Sequence, residues 1–270
     1  MQLLLSNVQE CLRALELHEE AIKLTSEAYK DIAQKLGINS PEALDQIQIQ
    51  ASLHVKINQM ENAETLYQQC LVGHEQSLGL NHSVTLNTAY LLADVLTRQG
   101  RHGEAIPLRR RHLEGQRKQN MDRNEETMTA AVELAIDLFK EGQYEEAEIN
   151  LKCVLTVLEG LDAPSEPELW FVLSMLSQVL DNNDRVEEAI KFTRRTIQCL
   201  TDDEDPDRQL VNHERVVLSR QLAEIGNIEE AIQQLQEVIS TLSNNPKAVD
   251  EDLELLNDAE ELRRQIAEEA

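Results

Sequence analysis

Residues 82–113 read HSVTLNTAYLLADVLTRQGRHGEAIPLRRRHL, and this stretch decides the fold. Its first half carries apolar or small residues at the three- and four-residue spacing of one helix face, at Leu86, Ala89, Leu92, Ala93 and Leu96. Gly100 then favours a turn, because glycine takes positive φ without steric conflict. A second apolar stripe begins at Ala105. The stretch therefore predicts two helices joined by a tight turn.

The same hairpin pattern returns every 42 residues along the chain. The alanine that follows the turn marks six copies, at Ala21, Ala63, Ala105, Ala147, Ala189 and Ala231. Another small residue lies upstream in five copies, at Ala51, Ala93, Ala135, Ser177 and Ser219. A fixed period of this size indicates stacked hairpins that cover one another's apolar faces. The sequence therefore predicts an all-α, right-handed superhelical solenoid of six helix-turn-helix repeats plus a C-terminal capping helix.

We expect these repeats to form one domain over residues 1–270. The predicted repeats span 1–39, 40–81, 82–123, 124–165, 166–207 and 208–248, and the capping helix spans 249–269. Outside residues 82–113, the predicted helices of the repeats cover 1–15, 19–35, 41–57, 61–77, 125–140, 144–159, 167–181, 185–200, 207–224 and 228–242. The second helix of the third repeat is expected to run to about Gln119.

The composition restricts the partners that this chain can take. Its formal net charge of −25 repels the phosphates of nucleic acid and the headgroups of anionic membranes, so we expect neither as a partner. The acidic surface serves either solvation or the attraction of a basic partner. The four cysteines are widely spaced and fall within helical patterns, which indicates reduced thiols and a cytoplasmic location.

No pattern in the sequence indicates catalysis. The chain contains no HExxH, P-loop, GxGxxG or GxSxG motif, and its seven histidines are scattered. His74-Glu75 and His213-Glu214 lack the second ligand that a metal site needs. We therefore expect no enzyme, no cofactor and no metal site.

The period and its small residues resemble tetratricopeptide repeats, and the 42-residue variant resembles that of kinesin light chain. The resemblance rests on LGLNHSVTL at 78–86, LGINSPEA at 36–43, the spacing from Leu86 to Ala93 and EAIPL at 104–108. It implies a helical solenoid that binds other proteins. The paired asparagines of kinesin light chain repeats are replaced here, for example by Tyr90 and Leu91. The resemblance thus supports the fold and not kinesin-type cargo recognition.

The resemblance also places the first helix of each repeat on an inner groove. The candidate groove residues are Gln48, Ser52, Tyr90, Asp94, Thr97, Val132, Ile136, Phe139, Phe171, Ser174, Gln178, Val216 and Arg220. Several of these are apolar, and a row of exposed apolar side chains suits an amphipathic helix or an extended peptide. The alternative is that they pack between repeats as ordinary core.

A basic patch interrupts the acidic sequence around the third repeat. Its members are Arg98, Arg101, Arg109, Arg110, Arg111, Arg117 and Lys118. They form salt bridges with neighbouring acids, or they dock an acidic segment such as 202–207 or the last helix.

We therefore predict a protein-interaction scaffold that docks a peptide or helix of a partner protein in the groove. Two other functions stay open. The chain is a regulatory or sensory repeat region of a larger multidomain signalling protein, or it is a structural element that self-associates through its basic patch and acidic end. A reading frame with further domains would support the first, and light scattering across a salt series tests the second.

Overall fold

A computed structural model describes residues 2–118, 124–161, 166–202, 207–243 and 250–269, with side chains over 17–118, 124–161, 169–202, 207–243 and 251–268. These residues form twelve helices and no strand. The helices are α1 (Gln2–Leu36), α2 (Pro41–Lys56), α3 (Met60–Leu78), α4 (Ser83–Arg98), α5 (His102–Lys118), α6 (Glu125–Lys140), α7 (Tyr144–Glu159), α8 (Glu166–Asp181), α9 (Val186–Thr201), α10 (Arg208–Glu224), α11 (Ile228–Ser243) and α12 (Asp250–Glu269). The predicted all-α repeat fold is confirmed, and the predicted bounds of α2 to α11 lie within a few residues of those observed.

The chain divides into two compact units, unit 1 (Met1–Glu141) and unit 2 (Gly142–Ala270). Unit 1 holds α1 to α6 and unit 2 holds α7 to α12, and within each unit every helix packs against the next one along the chain. Helix α12 contacts α10 as well as α11 and buries Ala259 and Ile266, as a capping helix should.

The turns inside the repeats share one backbone feature, a residue with positive φ. Positive φ occurs at Asn58, Gly100, Gly142, Asp184 and Gly226, which lie 42 residues apart. At Gly100 the N–H donates to Thr97 O at 2.9 Å and the N–H of Arg101 donates to Leu96 O at 2.9 Å. These two bonds satisfy carbonyls at the end of α4 and reverse the chain into α5.

The first repeat has no such turn, and the predicted hairpin of 1–15 and 19–35 is wrong. The structure has one continuous helix, α1, across both segments. The position that corresponds to Asn58 is Glu16, a good helix former with no tendency toward positive φ. Helix α1 therefore runs through the position where the other repeats turn.

The small residues that mark the repeat lie at the helix contacts. Ala63, Ala105, Ala147, Ala189 and Ala231 are all fully buried, as are Ala51, Ala93, Ala135 and Ser219. A larger side chain at such a contact would force two packed helices apart. Ala21 is only partly buried, in keeping with the missing turn of the first repeat.

Candidate partner-binding surface

A cluster of charged and polar side chains, with Arg109 and Asp137 buried at its centre, joins α4, α5 and α6. Arg109 of α5 is 3% exposed, and its Nε lies 2.6 Å from Oδ2 of Asp137 in α6, which is 0% exposed. Thr97 Oγ1 donates to both carboxylate oxygens of Asp137 at 3.0 Å. His102 Nδ1 lies 2.7 Å from Asp137 Oδ1 and is the donor, because a carboxylate only accepts. Arg109 also pairs with Glu133 through Nη1. We call these five residues the Asp137 network.

The Asp137 network surrounds its buried carboxylate with donors. The carboxylate of Asp137 accepts bonds from three side chains, and it shares the single guanidinium charge of Arg109 with the partly exposed Glu133. Removing one partner from such a buried pair is far more damaging than removing an exposed charge. The network therefore holds α4, α5 and α6 in one arrangement.

Tyr90 of α4 is fixed by the same network. Its hydroxyl donates to Glu133 Oε1 at 3.0 Å, and the Cζ atom of Arg109 lies 5.6 Å from the centre of its ring. Burial raises the pKa of Tyr90 to about 12, and the nearby Glu133 carboxylate adds to this rise. The phenol therefore stays protonated and remains a donor.

His112 of α5 lies beside Tyr90, with 5.0 Å between the ring centres. Its Nδ1 is 3.1 Å from the carbonyl oxygen of Leu86, so Nδ1 carries the proton in this contact. Burial lowers the pKa of His112, which keeps the ring neutral at neutral pH. A neutral ring with a protonated Nδ1 has an acceptor at Nε2.

A cavity of about 590 Å³ lies against these three helices. Its lining residues are Ser83, Leu86, Asn87, Tyr90, His112, Gln116, Glu125, Glu126 and Thr129. We call it the α4–α6 cavity. Leu86 and the ring of Tyr90 give it an apolar part, while Glu125 and Glu126 give it negative charge. It is large enough to accept a side chain from another molecule.

The predicted groove residues differ in the surface that they offer. Residues Gln48, Ser52, Tyr90, Asp94, Thr97, Val132, Ile136 and Phe139 of unit 1 are all partly buried. In unit 2, Phe171, Gln178 and Arg220 are exposed, but Ser174 and Val216 are each only 6% exposed. Ser174 and Val216 therefore have little surface to offer a partner. Tyr90 and Thr97 are brought together with Glu133 and Asp137, and their role in binding stays a prediction.

The basic patch is largely paired within unit 1. Arg98 pairs with Asp94, Arg101 with Glu64 and Glu104, Arg111 with Glu75, and Lys118 with Glu114. Arg110 and Arg117 also have interaction partners. Arg109, predicted as part of a surface patch, is buried in the Asp137 network. Docking of the acidic segment 202–207 stays a prediction, since residues 203–206 lie outside the described residues.

The partners of Arg109, Glu133 and Asp137, were not predicted from the sequence, and neither was His102, which contacts Asp137. One signal was available, because residues 109 and 137 occupy the same repeat positions as the buried pairs Tyr67 and Val95 or Leu151 and Val179. Two opposite charges at core positions of a repeat indicate a buried ion pair. His112, Gln116, Glu125 and Glu126 carry no comparable signal in the local sequence.

The described residues contain neither a membrane-spanning helix nor a cluster of metal ligands. None of their helices is both long and apolar enough to traverse a bilayer. Their histidine, cysteine and acidic side chains form no group of three or more that could hold a metal ion.

Comparisons with known proteins place the fold. The tetratricopeptide repeat family matches residues 46–118, and no curated protein matches the sequence. A putative kinesin light chain repeat protein from Podosopora anserina is 22% identical, with a TM-score of 0.64 over 77% of this chain and 99% of its own. BtubC (BKLC) from P. vanneervenii is 19% identical, with a TM-score of 0.62 over 87% and 96% of the two chains. The apo quorum sensor NprR from B. thuringiensis is 18% identical, with a TM-score of 0.60 over 97% and 69%.

The 42-residue period and the fold are thus similar to those of kinesin-light-chain-like repeat structures, and residues 46–118 match the tetratricopeptide repeat family.

Proposed function

We propose that this protein is an interaction scaffold that docks a peptide or helical segment of a partner protein on the surface formed by α4 and α6 in unit 1. The observation that carries the proposal is the α4–α6 cavity, with Tyr90 held rigidly in its wall. Binding sites are concave, combine apolar walls with a few polar groups, and are largely formed before the ligand arrives. The cavity has these three properties.

The apolar side chains of α6 extend the docking surface beyond the cavity. Val132, Ile136 and Phe139 are spaced four and three residues apart, so they lie on one face of the helix, and each keeps part of its surface exposed. A partner segment anchored in the cavity finds apolar contacts along this face. The corresponding positions of unit 2 support docking less well, because Ser174 and Val216 are buried.

The rigidity of the surface favours affinity. The Asp137 network fixes α4, α5 and α6 before binding, so a partner does not have to order them. Pre-organised surfaces lose less conformational entropy on association.

The proposal is tested by recovering partners from native lysate and quantifying them by mass spectrometry. Val132→Asp with Phe139→Asp places two charges on the proposed surface and should abolish recovery of the specific partners. Val72→Asp with Ile149→Asp is the matched control, because it adds two charges at exposed apolar residues of α3 and α7. The control should recover partners as the unaltered protein does.

A second variant covers the case in which the two aspartates unfold the chain. Asn87 is an exposed residue of the cavity wall, so Asn87→Trp fills the cavity without burying a charge. Circular dichroism establishes that each variant is folded. Undiminished recovery by a folded Asn87→Trp and a folded Val132→Asp/Phe139→Asp protein would overturn the proposal.

A further inference from the structure

The wall of the α4–α6 cavity is rich in hydrogen-bond acceptors. Gln116 has a buried Oε1 with no hydrogen-bond partner among the described residues. Since Nδ1 of His112 donates to Leu86 O, its Nε2 is an acceptor. A buried acceptor without a partner is destabilising, and a ligand that donates to it removes this cost.

The same cavity carries uncompensated negative charge. Glu125 and Glu126 line it from the first turn of α6, and neither forms an ion pair within the described part of the chain. Lys118, at the end of α5, lies 4.0 Å from Glu114. Glu133 pairs with Arg109 and does not line the cavity, so the negative charge of the cavity wall is that of Glu125 and Glu126.

Apolar and aromatic surface completes the cavity. Leu86 suits the aliphatic part of a long side chain, and the rings of Tyr90 and His112 lie side by side with their centres 5.0 Å apart. A planar cation stacks on such rings. The unpaired acceptors, the carboxylates and the rings of the cavity together favour a flat, positively charged ligand group with several hydrogen-bond donors.

We propose that the α4–α6 cavity binds an arginine side chain of the partner segment. This inference rests on the proposed function, since it names the chemistry of the segment that docks there. Arginine fits better than lysine because its guanidinium is planar, presents five donors in a fixed fork and stacks on aromatic rings. The formal net charge of −25 steers a basic segment toward the protein.

Small probes test this inference without knowledge of the partner. The probes are the Nα-acetyl, C-methylamide derivatives of arginine, citrulline and lysine, where citrulline keeps the shape of arginine and lacks its charge. Binding to the full chain is followed by nuclear magnetic resonance, using the methyl groups of Leu86 as reporters in the cavity and those of Leu222, in unit 2, as a control. We expect saturable shifts at Leu86 with arginine, and at least fivefold weaker binding of lysine and of citrulline.

A pair of charge variants locates the site. Glu125→Gln with Glu126→Gln should weaken arginine binding by at least about fivefold, since each of these exposed carboxylates contributes up to roughly 1 kcal/mol through an ion pair. Glu145→Gln with Glu229→Gln is the matched control, because it removes two exposed first-turn carboxylates from α7 and α11. This control should leave arginine binding unchanged.

The outcomes separate this inference from the proposed function. Equal binding of the three probes, no shift at Leu86, or equal weakening by both charge variants would overturn the arginine site. If arginine binds selectively and the Asn87→Trp and Val132→Asp/Phe139→Asp proteins both still recover every partner, the arginine site stands and the proposed function fails. If partners are lost on Asn87→Trp and the probes show no preference for arginine, the reverse holds.

Discussion

The two units fill the same pair of repeat positions with different chemistry. In unit 1, Arg109 and Asp137 form a buried ion pair with 2.6 Å between Nε and Oδ2. In unit 2, the equivalent residues are Thr193 and Gln221, and the hydroxyl of Thr193 donates to Oε1 of Gln221 at 2.8 Å. Ser177 joins this neutral pair, accepting from Gln221 Nε2 at 3.0 Å.

The difference shows that the repeat does not require charge at these positions. Another copy in unit 2 holds Leu151 and Val179, both fully buried. An apolar pair packs helices without the desolvation that an ion pair demands. The ionic copy lies beside the α4–α6 cavity and fixes Tyr90 through Glu133. We interpret its charge as a means of positioning the cavity wall, and the neutral copy of unit 2 as ordinary packing.

The largest predicted effect comes from breaking the ionic pair. Arg109→Leu leaves the buried carboxylate of Asp137 without its cation and should lower the free energy of unfolding by about 3–5 kcal/mol. Arg109→Leu with Asp137→Val copies Leu151 and Val179 and should regain most of that loss. Urea unfolding at pH 7 measures both.

Arg98→Leu serves as the control for this comparison. Arg98 pairs with Asp94 at the surface, so its loss should change stability by less than about 1 kcal/mol. A double variant as unstable as Arg109→Leu alone would show that the stranded charge of Asp137 is not the cause.

The neutral pair should be less sensitive. Gln221→Val, the residue found at position 179, removes the amide that Thr193 and Ser177 contact and should lower the free energy of unfolding by about 1–3 kcal/mol. The change also removes a donor to the Asp181 carboxylate, but it breaks no ion pair, so the loss should be smaller than that of Arg109→Leu in the same assay. A larger loss than that of Arg109→Leu would reverse the ranking of the two units.

Glu133 of unit 1 and Glu214 of unit 2 differ in whether a cation pairs with them, and this difference predicts how stability depends on pH. Glu133 is paired with Arg109, whereas Glu214 is 5% exposed and accepts a bond from Ser174 at 2.7 Å. Burial raises the pKa of Glu214, so the folded chain binds this proton more tightly than the unfolded chain does. The contribution of Glu214 to stability is then full below its unfolded pKa and is lost as pH rises through its folded pKa.

Glu214→Gln should therefore make the protein more stable than the unaltered chain at neutral pH, with the gain disappearing in acid. Urea unfolding at pH 4 and pH 7 measures the difference between the two proteins. Glu254→Gln, at an exposed residue of α12, should show no such gain. A gain from Glu214→Gln that is equal at both pH values would exclude the charge of Glu214 as its source.

The smallest predicted effect concerns the turns. Asn58 in unit 1 and Asp184 in unit 2 have φ of 58° and 55°, where three other copies have glycine. Asn58→Gly and Asp184→Gly should each change stability by no more than about 1 kcal/mol, because asparagine and aspartate already tolerate this region. Gly100→Val should lower it by more in the same thermal unfolding assay, since a β-branched residue does not adopt φ of 76° readily.

The repeat was predictable because its turn residues and small residues recur at one spacing. The absence of a turn in the first copy was not predicted, because the spacing alone suggested a hairpin. Glu16 lies where the other copies have a residue with positive φ, and the helix continues through it. Arg109 lies in a run of basic residues that resembles a solvated helix face, and only the third dimension brings Asp137, 28 residues away, against it. The α4–α6 cavity combines residues from three helices, and the local sequence of none of them indicates it.

Docking of a partner at the α4–α6 surface of unit 1 is the proposal on which the others depend. Photo-crosslinking with p-benzoylphenylalanine at Phe139, on the apolar face of α6 where the probe keeps the native phenyl ring, and at the exposed Ile149 of α7 tests it directly. Mass spectrometry then identifies the crosslinked peptide. We predict that the probe at position 139 captures an arginine-containing segment of a partner and that the probe at position 149 does not. Equal capture at both positions, or capture at Ile149 alone, would contradict the account.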